Sequence, residues 1–235
     1  WLMEKLHKIK TAILVALNSC LIISLPIKIY PELFIYPWLV AKGWLPYRDF
    51  FDHHGFLPYY LLAPLSLDKS FLLIRIAYFS LQTITLLLFL YLIRKRKYYF
   101  FWGVFFVLLN FFMLENVLWY ENFTTVFFLM IYLLAQKKSS RHQILFLAIL
   151  IWLTSLVKPH AGLVIIPVFF CLGKNWRLIF TVAALWIATL GFFWLENALP
   201  FFIDNLVFFN FFCSQYSRRL PVIIYDIGLL KFSLL

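Results

Sequence analysis

The sequence predicts an all-α membrane protein: a polytopic bundle of about seven transmembrane helices, followed by an unfinished eighth. Three observations support this prediction. Of the 235 residues, 64% are hydrophobic and only 13% are charged, whereas a soluble domain has about 45 to 50% apolar and roughly 25% charged residues. The mean hydropathy is +0.90. Apolar runs recur along the chain, and their length is about the 20 residues that a helix needs to cross the bilayer hydrocarbon.

The predicted spans follow from the positions of the apolar runs. The first lies at 11–27, and the second lies at 71–93 with only Arg75 to interrupt it. The other spans are predicted at 98–114, 117–135, 144–157, 161–173 and 178–195.

Charge placement divides the long apolar run 144–173 into two spans and orients the whole bundle. Lys158, Pro159 and His160 interrupt this run. Two short helices place every basic cluster on one face, whereas a single helix would place Lys174 on the other. The clusters are Lys5/Lys8/Lys10, Arg94 to Lys97, Lys137/Lys138/Arg141 and Lys174/Arg177. Because basic loops face the cytoplasm, we expect a cytoplasmic N-terminus in a multi-pass integral membrane protein.

The chain is predicted to form a single transmembrane domain over residues 1–235. It starts at Trp1 and stops in the apolar stretch from Pro221 to Leu235, so we expect a fragment of a longer protein. A basic start before an apolar run is also typical of a signal peptide. A retained first span is preferred, because 11–27 exceeds a usual signal core and no small-residue cleavage site follows.

Charge and cysteine placement exclude several classes of function. The net charge of +11 does not indicate a nucleic-acid partner, because the basic residues punctuate apolar runs and form no single solvated surface. Cys20, Cys171 and Cys213 show no C-x-x-C spacing, so neither a disulfide framework nor a zinc site is predicted. The sequence has no Gly-rich phosphate loop and no Ser/His/Asp signature. No cofactor is predicted, and the sequence leaves open whether a divalent metal binds.

The long first outer loop, residues 30–69, is predicted to contain interfacial helices and most of the polar chemistry. Its polar residues include Glu32, Arg48, Asp49, Asp52, His53 and His54. A carboxylate beside cations and imidazoles suits transfer of a group from a lipid-linked phosphate. The carboxylate accepts the proton of an acceptor hydroxyl, while the cations stabilise the charge that grows on the phosphate.

Each of these residues also has a purely structural explanation, which the sequence leaves open. Asp49 and Asp52 would cap or solvate a loop, and Glu32 would begin a helix at the favourable end of its dipole. Lys158 would extend to the membrane interface, and Pro159 would simply break the helix. Against that, a charge between two unusually short membrane helices is often functional.

Three segments carry a resemblance to a known family. Residues 43–50 read GWLPYRDF and are followed by DHHG at 52–55, while LWYEN stands at 118–122 and LVKPHAG at 156–162. These segments resemble outer loops of the C superfamily of integral-membrane glycosyltransferases (GT-C), specifically its protein-mannosyltransferase-like and aminoarabinose-transferase-like members. The chain departs from the family at Pro31, where an acidic residue is usual, and at Phe56, where proline is usual. It is also shorter than those enzymes.

The resemblance implies an enzyme that transfers a hexosyl or pentosyl group from a polyprenyl-phosphate donor, with inversion at the anomeric carbon. The acceptor would be a lipid, glycan or protein, and the active site would be extracytoplasmic. Glu32 would be the general base, with Asp49 as the second candidate. The remaining expected site residues are Arg48, His53, His54 and Lys158 for the donor phosphate, with Asp52, His160 and Glu121 as additional candidates.

Two other functions stay open. A transporter or lipid flippase also places charged residues near short, proline-broken helices. Here, however, the polar residues gather in one outer loop and not at mid-membrane positions of two corresponding halves. A non-catalytic membrane scaffold would make the concentration of polar residues between Glu32 and His54 a coincidence.

Overall fold

The computed structural model describes residues 2–67, 71–114, 116–136, 140–209 and 211–212. Within these residues the chain forms ten α-helices and one pair of very short strands. This mainly helical structure agrees with the predicted all-α class. The predicted unfinished eighth span, from 221 onward, lies outside the described residues.

Three helices are long and apolar enough to cross a membrane, judged by length and composition over the described residues. They are α1 (Leu2–Ser24), α4 (Leu72–Ile93) and α9 (Trp176–Leu195). They fall on the predicted spans 11–27, 71–93 and 178–195. The 22 residues of α4 extend about 33 Å at 1.5 Å per residue, which matches the hydrocarbon thickness. The chain therefore has the character of a membrane protein.

Of the seven predicted spans, only these three form helices that are long and apolar enough to cross a membrane, within the described residues. The other four predicted spans form shorter helices, namely α5 (Tyr99–Leu114), α6 (Tyr120–Ala135), α7 (Arg141–Val157) and α8 (Ile165–Cys171). Even the 17 residues of α7 extend only about 25 Å. The sequence overestimated the spans at 117–135 and 161–173, because apolar flanking residues there do not continue the helix. Before α6 they form a strand, and before α8 they form the 3-10 segment Pro159–Val164.

The remaining elements are short. The predicted outer loop contains α2 (Glu32–Ala41) and α3 (Leu57–Leu62), so helices within this loop are confirmed up to the last described residue of the segment, 67. Beyond α9 the chain forms α10 (Leu199–Ile203) and the π-helical turn Asp204–Phe209. The strands β1 (Lys28–Ile29) and β2 (Val117–Leu118) pair in parallel, with Lys28 opposite Val117.

The helix ends gather into two opposite groups. We call one group the loop end, because the loop from α1 to α4 lies there. The β1–β2 pair joins the C-terminal ends of α1 and α5, and Gly55 of the loop hydrogen-bonds Val157 at the end of α7. At the opposite end, Thr11 of α1 hydrogen-bonds the Tyr99 hydroxyl of α5 at 2.7 Å. The described basic residues after the C-terminal end of α4 and at the N-terminal ends of α7 and α9 also lie at this opposite end.

A buried apolar cluster holds the loop end together. It contains Ile22 of α1, Leu33 of α2, Tyr59 and Leu62 of α3, Ile74 and Tyr78 of α4, Tyr120 and Phe123 of α6, and Val157 of α7, with Leu118 of β2. Because five or more elements contribute to one cluster, the polar residues at this end are anchored by the helices and by the loop alike.

Asn116 fastens the end of α1 to α4 and α5. Its side-chain nitrogen donates to the carbonyl oxygens of Leu25 at 3.0 Å and of Ile22 and Pro26 at 3.3 Å. Its side-chain oxygen accepts the Tyr78 hydroxyl at 3.0 Å. The backbone of Asn116 has a φ of 55°, a left-handed conformation that asparagine tolerates better than most residues. Carbonyls that would otherwise be orphaned at a helix end are thereby satisfied.

Replacement of Asn116 with alanine is expected to lower the free energy of unfolding by about 1–3 kcal/mol, because buried carbonyls lose their donor. The measurement is thermal unfolding of the full chain in detergent. Asn205→Ala is the matched control, because Asn205 is only half-buried and donates one solvent-exposed hydrogen bond to a carbonyl within its own turn. Equal losses in the two variants would contradict the anchoring role.

Candidate functional site at the loop end

The segment 52–55 is fixed against the end of α7. The Gly55 backbone N–H donates to the Val157 carbonyl at 3.1 Å, and the Tyr47 hydroxyl donates to the His54 carbonyl at 2.6 Å. A Cβ on residue 55 would lie 2.0 Å from the Leu156 carbonyl oxygen and 2.5 Å from that of Val157. Because both oxygens belong to backbone, only glycine fits this approach.

Asp52 lies at the centre of a buried polar network. Its side chain is 2% exposed. One carboxylate oxygen accepts the Tyr59 hydroxyl, which in turn contacts the hydroxyl of Tyr120. Burial, together with the charges of these two neighbours, raises the pKa of Tyr59 far above its ordinary value. Tyr59 therefore stays protonated and serves as a donor to Asp52.

His53 and His54 lie on the other side of Asp52. Nδ1 of His54 is 3.1 Å from the second Asp52 oxygen, and Nδ1 of His53 is 4.0 Å from it. The two imidazole rings are 4.0 Å apart, and His54 stacks on Tyr120 at 4.3 Å. Burial, and then the neighbouring His54, lowers the pKa of His53, although Asp52 and Glu32 oppose this shift. The lowered pKa favours the uncharged imidazole of His53 at neutral pH.

Glu32 lies beside this network as the first residue of α2. Its carboxylate is at a helix N-terminus, where unpaired backbone N–H groups favour negative charge. One carboxylate oxygen, Oε2, is buried and has no hydrogen-bond partner among the described residues. Its charge acts on His53 and on Tyr36. Glu32 thus keeps an acceptor oxygen available next to Asp52.

Arg48 and Asp49 clamp the loop to the end of α9. The Arg48 guanidinium donates to both Asp49 oxygens at 2.9 and 3.0 Å and to the Glu196 carbonyl at 2.9 Å. The Leu45 N–H adds a third donor to Asp49 at 2.7 Å. These hydrogen bonds, that of Arg48 first, lower the pKa of Asp49. The stabilisation is present above the ordinary carboxyl pKa and is lost as the pH falls through the lowered folded value.

Lys158 and Glu121 form an ion pair next to this network. Lys158 follows α7 with an extended backbone (φ −143°, ψ 114°), because the residue before a proline is disfavoured in the helical region. Its ammonium group contacts one oxygen of Glu121, in the first turn of α6. The other oxygen, Oε2, is buried and has no hydrogen-bond partner among the described residues.

A groove of about 1030 Å³ opens from this ion pair and runs between α6 and the segment 159–171; we call it the α6 groove. Its mouth is polar and contains Glu121, Lys158 and His160. Its walls are mainly apolar and include Phe128, Leu129, Ile131, Leu163, Val164 and Val168. From Glu121 to Ala135 the groove follows α6 for about 21 Å at 1.5 Å per residue. Its shape and polarity suit an amphiphile with a charged head.

The predicted site residues fall into three groups. The first surrounds Asp52 and the second forms the mouth of the α6 groove, and the two adjoin because Tyr120 and Glu121 are consecutive. The third forms the clamp to α9. In this order, the groups are Glu32, Asp52, His53 and His54; Glu121, Lys158 and His160; and Arg48 and Asp49.

The sequence analysis missed three side chains that organise this region, namely Tyr59, Tyr120 and Asn116. Tyr120 lies within the quoted LWYEN segment, so the motif marked its position but not its contact with Tyr59. Comparison of the chain with protein-family models, with curated proteins and with solved structures found no match.

Proposed function

We propose that the chain is a membrane glycosyltransferase that moves a sugar from a polyprenyl-phosphate donor to an acceptor, with inversion. The observation that carries this proposal is the α6 groove. Its apolar length can bury a lipid chain, and its mouth offers the cation Lys158 and the imidazole of His160 to a phosphate. A lysine binds phosphate as a point charge, without the bidentate geometry of arginine.

In the proposed reaction the acceptor hydroxyl attacks the anomeric carbon as the bond from that carbon to the phosphate oxygen breaks. The bonding electrons pass to the phosphate, where Lys158 stabilises the new charge. The hydroxyl proton passes to Glu32, whose unpartnered oxygen supports its role as the base. Arg48, His53 and His54 stay predicted phosphate contacts, and Asp49 stays the second candidate for the base.

The proposal includes the seven-helix topology, with the N-terminus cytoplasmic and the loop end extracytoplasmic. The gathering of the long loop at one end and of the basic clusters at the other supports this orientation. Helices α5 to α7 are several ångströms shorter than the bilayer core, and a membrane accommodates such helices by local thinning. Helix α8 reaches a comparable length only together with the 3-10 segment Pro159–Val164.

The test uses the full-length protein in liposomes with a radiolabelled polyprenyl-phosphate mannose as the probe donor and a membrane extract as the source of acceptors. Protein-dependent transfer of the label to a lipid, glycan or protein supports the proposal. Movement of the intact donor across the bilayer without transfer would instead identify a flippase. Absence of both transfer and movement in a protein that binds the donor would contradict catalysis by this chain.

Lys158→Gln is expected to weaken binding of a polyprenyl phosphate about 10- to 100-fold, because a charge-assisted contact contributes about 1.5–3 kcal/mol. Binding of the dephosphorylated polyprenol, measured by native mass spectrometry, is expected to stay unchanged. Glu121→Gln is the informative partner variant. It releases Lys158 from its ion pair, so we expect equal or tighter phosphate binding. Equal weakening by both variants would assign the ion pair a structural role only.

A further inference from the structure

The network around Asp52 contains a set of metal-ligand types, of which the proposed sugar transfer uses only the two imidazoles, as phosphate contacts. A carboxylate oxygen of Asp52 and one ring nitrogen each of His53 and His54 all lie within 4.8 Å of one another. The Nδ1 atoms of both imidazoles face the same Asp52 oxygen, at 4.0 and 3.1 Å. Such convergence of two imidazoles on one buried carboxylate is the donor arrangement of a small metal site.

The surroundings leave this carboxylate short of positive charge. Asp52 is 2% exposed, and among the described residues it contacts the neutral Tyr59 hydroxyl and the two imidazoles. Glu32 adds a second carboxylate nearby, with a buried oxygen that has no hydrogen-bond partner among the described residues. A buried anion is costly unless a cation or several donors compensate it. A divalent ion between these groups supplies that compensation.

The geometry requires only a modest contraction. In a tetrahedral site with bonds of about 2.0–2.2 Å, ligand atoms are about 3.4 Å apart. The most distant pair here is at most 4.8 Å apart, and rotation of the partly exposed His53 side chain can bring its Nδ1 closer. His54 is held by stacking on Tyr120, and Asp52 is held by Tyr59, so two of the three ligands are already positioned.

We propose that Asp52, His53 and His54 bind one divalent transition-metal ion, with Zn²⁺ as the best match and the Glu32 carboxylate beside the open coordination position. Two imidazoles and a carboxylate favour Zn²⁺ or Co²⁺ over Mg²⁺ and Ca²⁺, which prefer oxygen ligands. The ion holds the segment 52–55 to α2 and α6. The proposal is independent of sugar transfer, because the site needs no donor lipid.

The test measures metal directly. The full-length protein is purified in detergent, incubated with Zn²⁺ or Co²⁺ and desalted, and the retained metal is quantified by mass spectrometry. We expect about one ion per chain, and for Co²⁺ the visible absorption of a low-symmetry nitrogen and oxygen site. Zn²⁺ is also expected to raise the unfolding temperature, because a ligand that binds the folded state stabilises it.

His53→Ala is the decisive variant, because the side chain of His53 is 42% exposed and the hydrogen bonds that join Asp52 to Tyr59 and His54 do not involve it. We expect loss of the retained metal and of the stabilisation by Zn²⁺, with an unchanged unfolding temperature in chelator. His142→Ala, which removes an exposed histidine at the start of α7, is expected to retain the metal. Wild-type protein that retains neither Zn²⁺ nor Co²⁺, or a His53→Ala variant that retains as much as wild type, would overturn the proposal.

Discussion

Gly55→Ala is expected to detach the segment 52–55 from α7 and to lower the free energy of unfolding by at least about 1–3 kcal/mol. The new Cβ would lie 2.0 Å from the Leu156 carbonyl oxygen and 2.5 Å from that of Val157. Neither oxygen can move without shifting the last turn of α7, so the loop itself must withdraw. The hydrogen bond from the Gly55 N–H to Val157 is then lost, and Asp52 becomes accessible to water. Thermal unfolding in detergent and proteolysis of the loop measure the two effects.

Gly191→Ala is the matched control for this experiment. Gly191 lies within α9, and a Cβ there would meet nothing within 4 Å. Because alanine favours the helix over glycine by about 0.8–1.0 kcal/mol, this variant is expected to be as stable as wild type or more stable. Wild-type stability and protease resistance in Gly55→Ala would show that the loop does not depend on this close approach.

Glu32→Gln is expected to reduce the rate of sugar transfer by about 10²- to 10⁴-fold, the usual contribution of a general base. Glutamine keeps the size of the side chain but cannot accept the hydroxyl proton. Expression and the unfolding temperature are expected to stay near wild type, because the Glu32 oxygen that is lost has no hydrogen-bond partner among the described residues. The measurement is single-turnover transfer with saturating donor. This expectation rests on the proposed function.

Asp49→Asn separates the two candidate bases. The Asp49 carboxylate already accepts hydrogen bonds from Arg48 and Leu45, so we expect this substitution to weaken the clamp to α9 and to lower stability more than turnover. If Asp49→Asn abolished transfer in a fully folded protein while Glu32→Gln kept wild-type turnover, the role of base would pass to Asp49.

Hydropathy predicted the bounds of some helices closely and those of others poorly. The second span was predicted at 71–93 and α4 runs from Leu72 to Ile93, because a long apolar run has no other way to satisfy its backbone in lipid. The span predicted at 117–135 fails at its start. Val117 and Leu118 are as apolar as the helix that follows, but they pair with β1. Hydropathy cannot distinguish these cases, since it carries no information on long-range pairing.

The sequence predicted which types of residue the site contains, but not which side chains contact one another. The sequence identified Asp52 and Lys158 as polar residues in an apolar setting. It could not predict that Tyr59 joins Asp52 to Tyr120, because the contact between the two tyrosines brings α3 next to α6, far along the chain. Nor could it predict that Arg48 is bound to its own neighbour, Asp49. Adjacent side chains in a loop point in directions set by backbone angles, and at Tyr47 the chain takes an unusual φ of 72°.

The separation of charge between the two ends of the bundle has an electrical consequence. At the loop end the acidic residues Glu32, Asp52 and Glu121 lie together with Arg48 and Lys158, whereas the basic clusters lie at the opposite end, so the opposite end is the more positive. A bilayer that is negative inside acts on each charge with about 2.3 kcal/mol per 100 mV for complete crossing. The proposed orientation, with the basic end inside, therefore has the lower energy in an energised membrane.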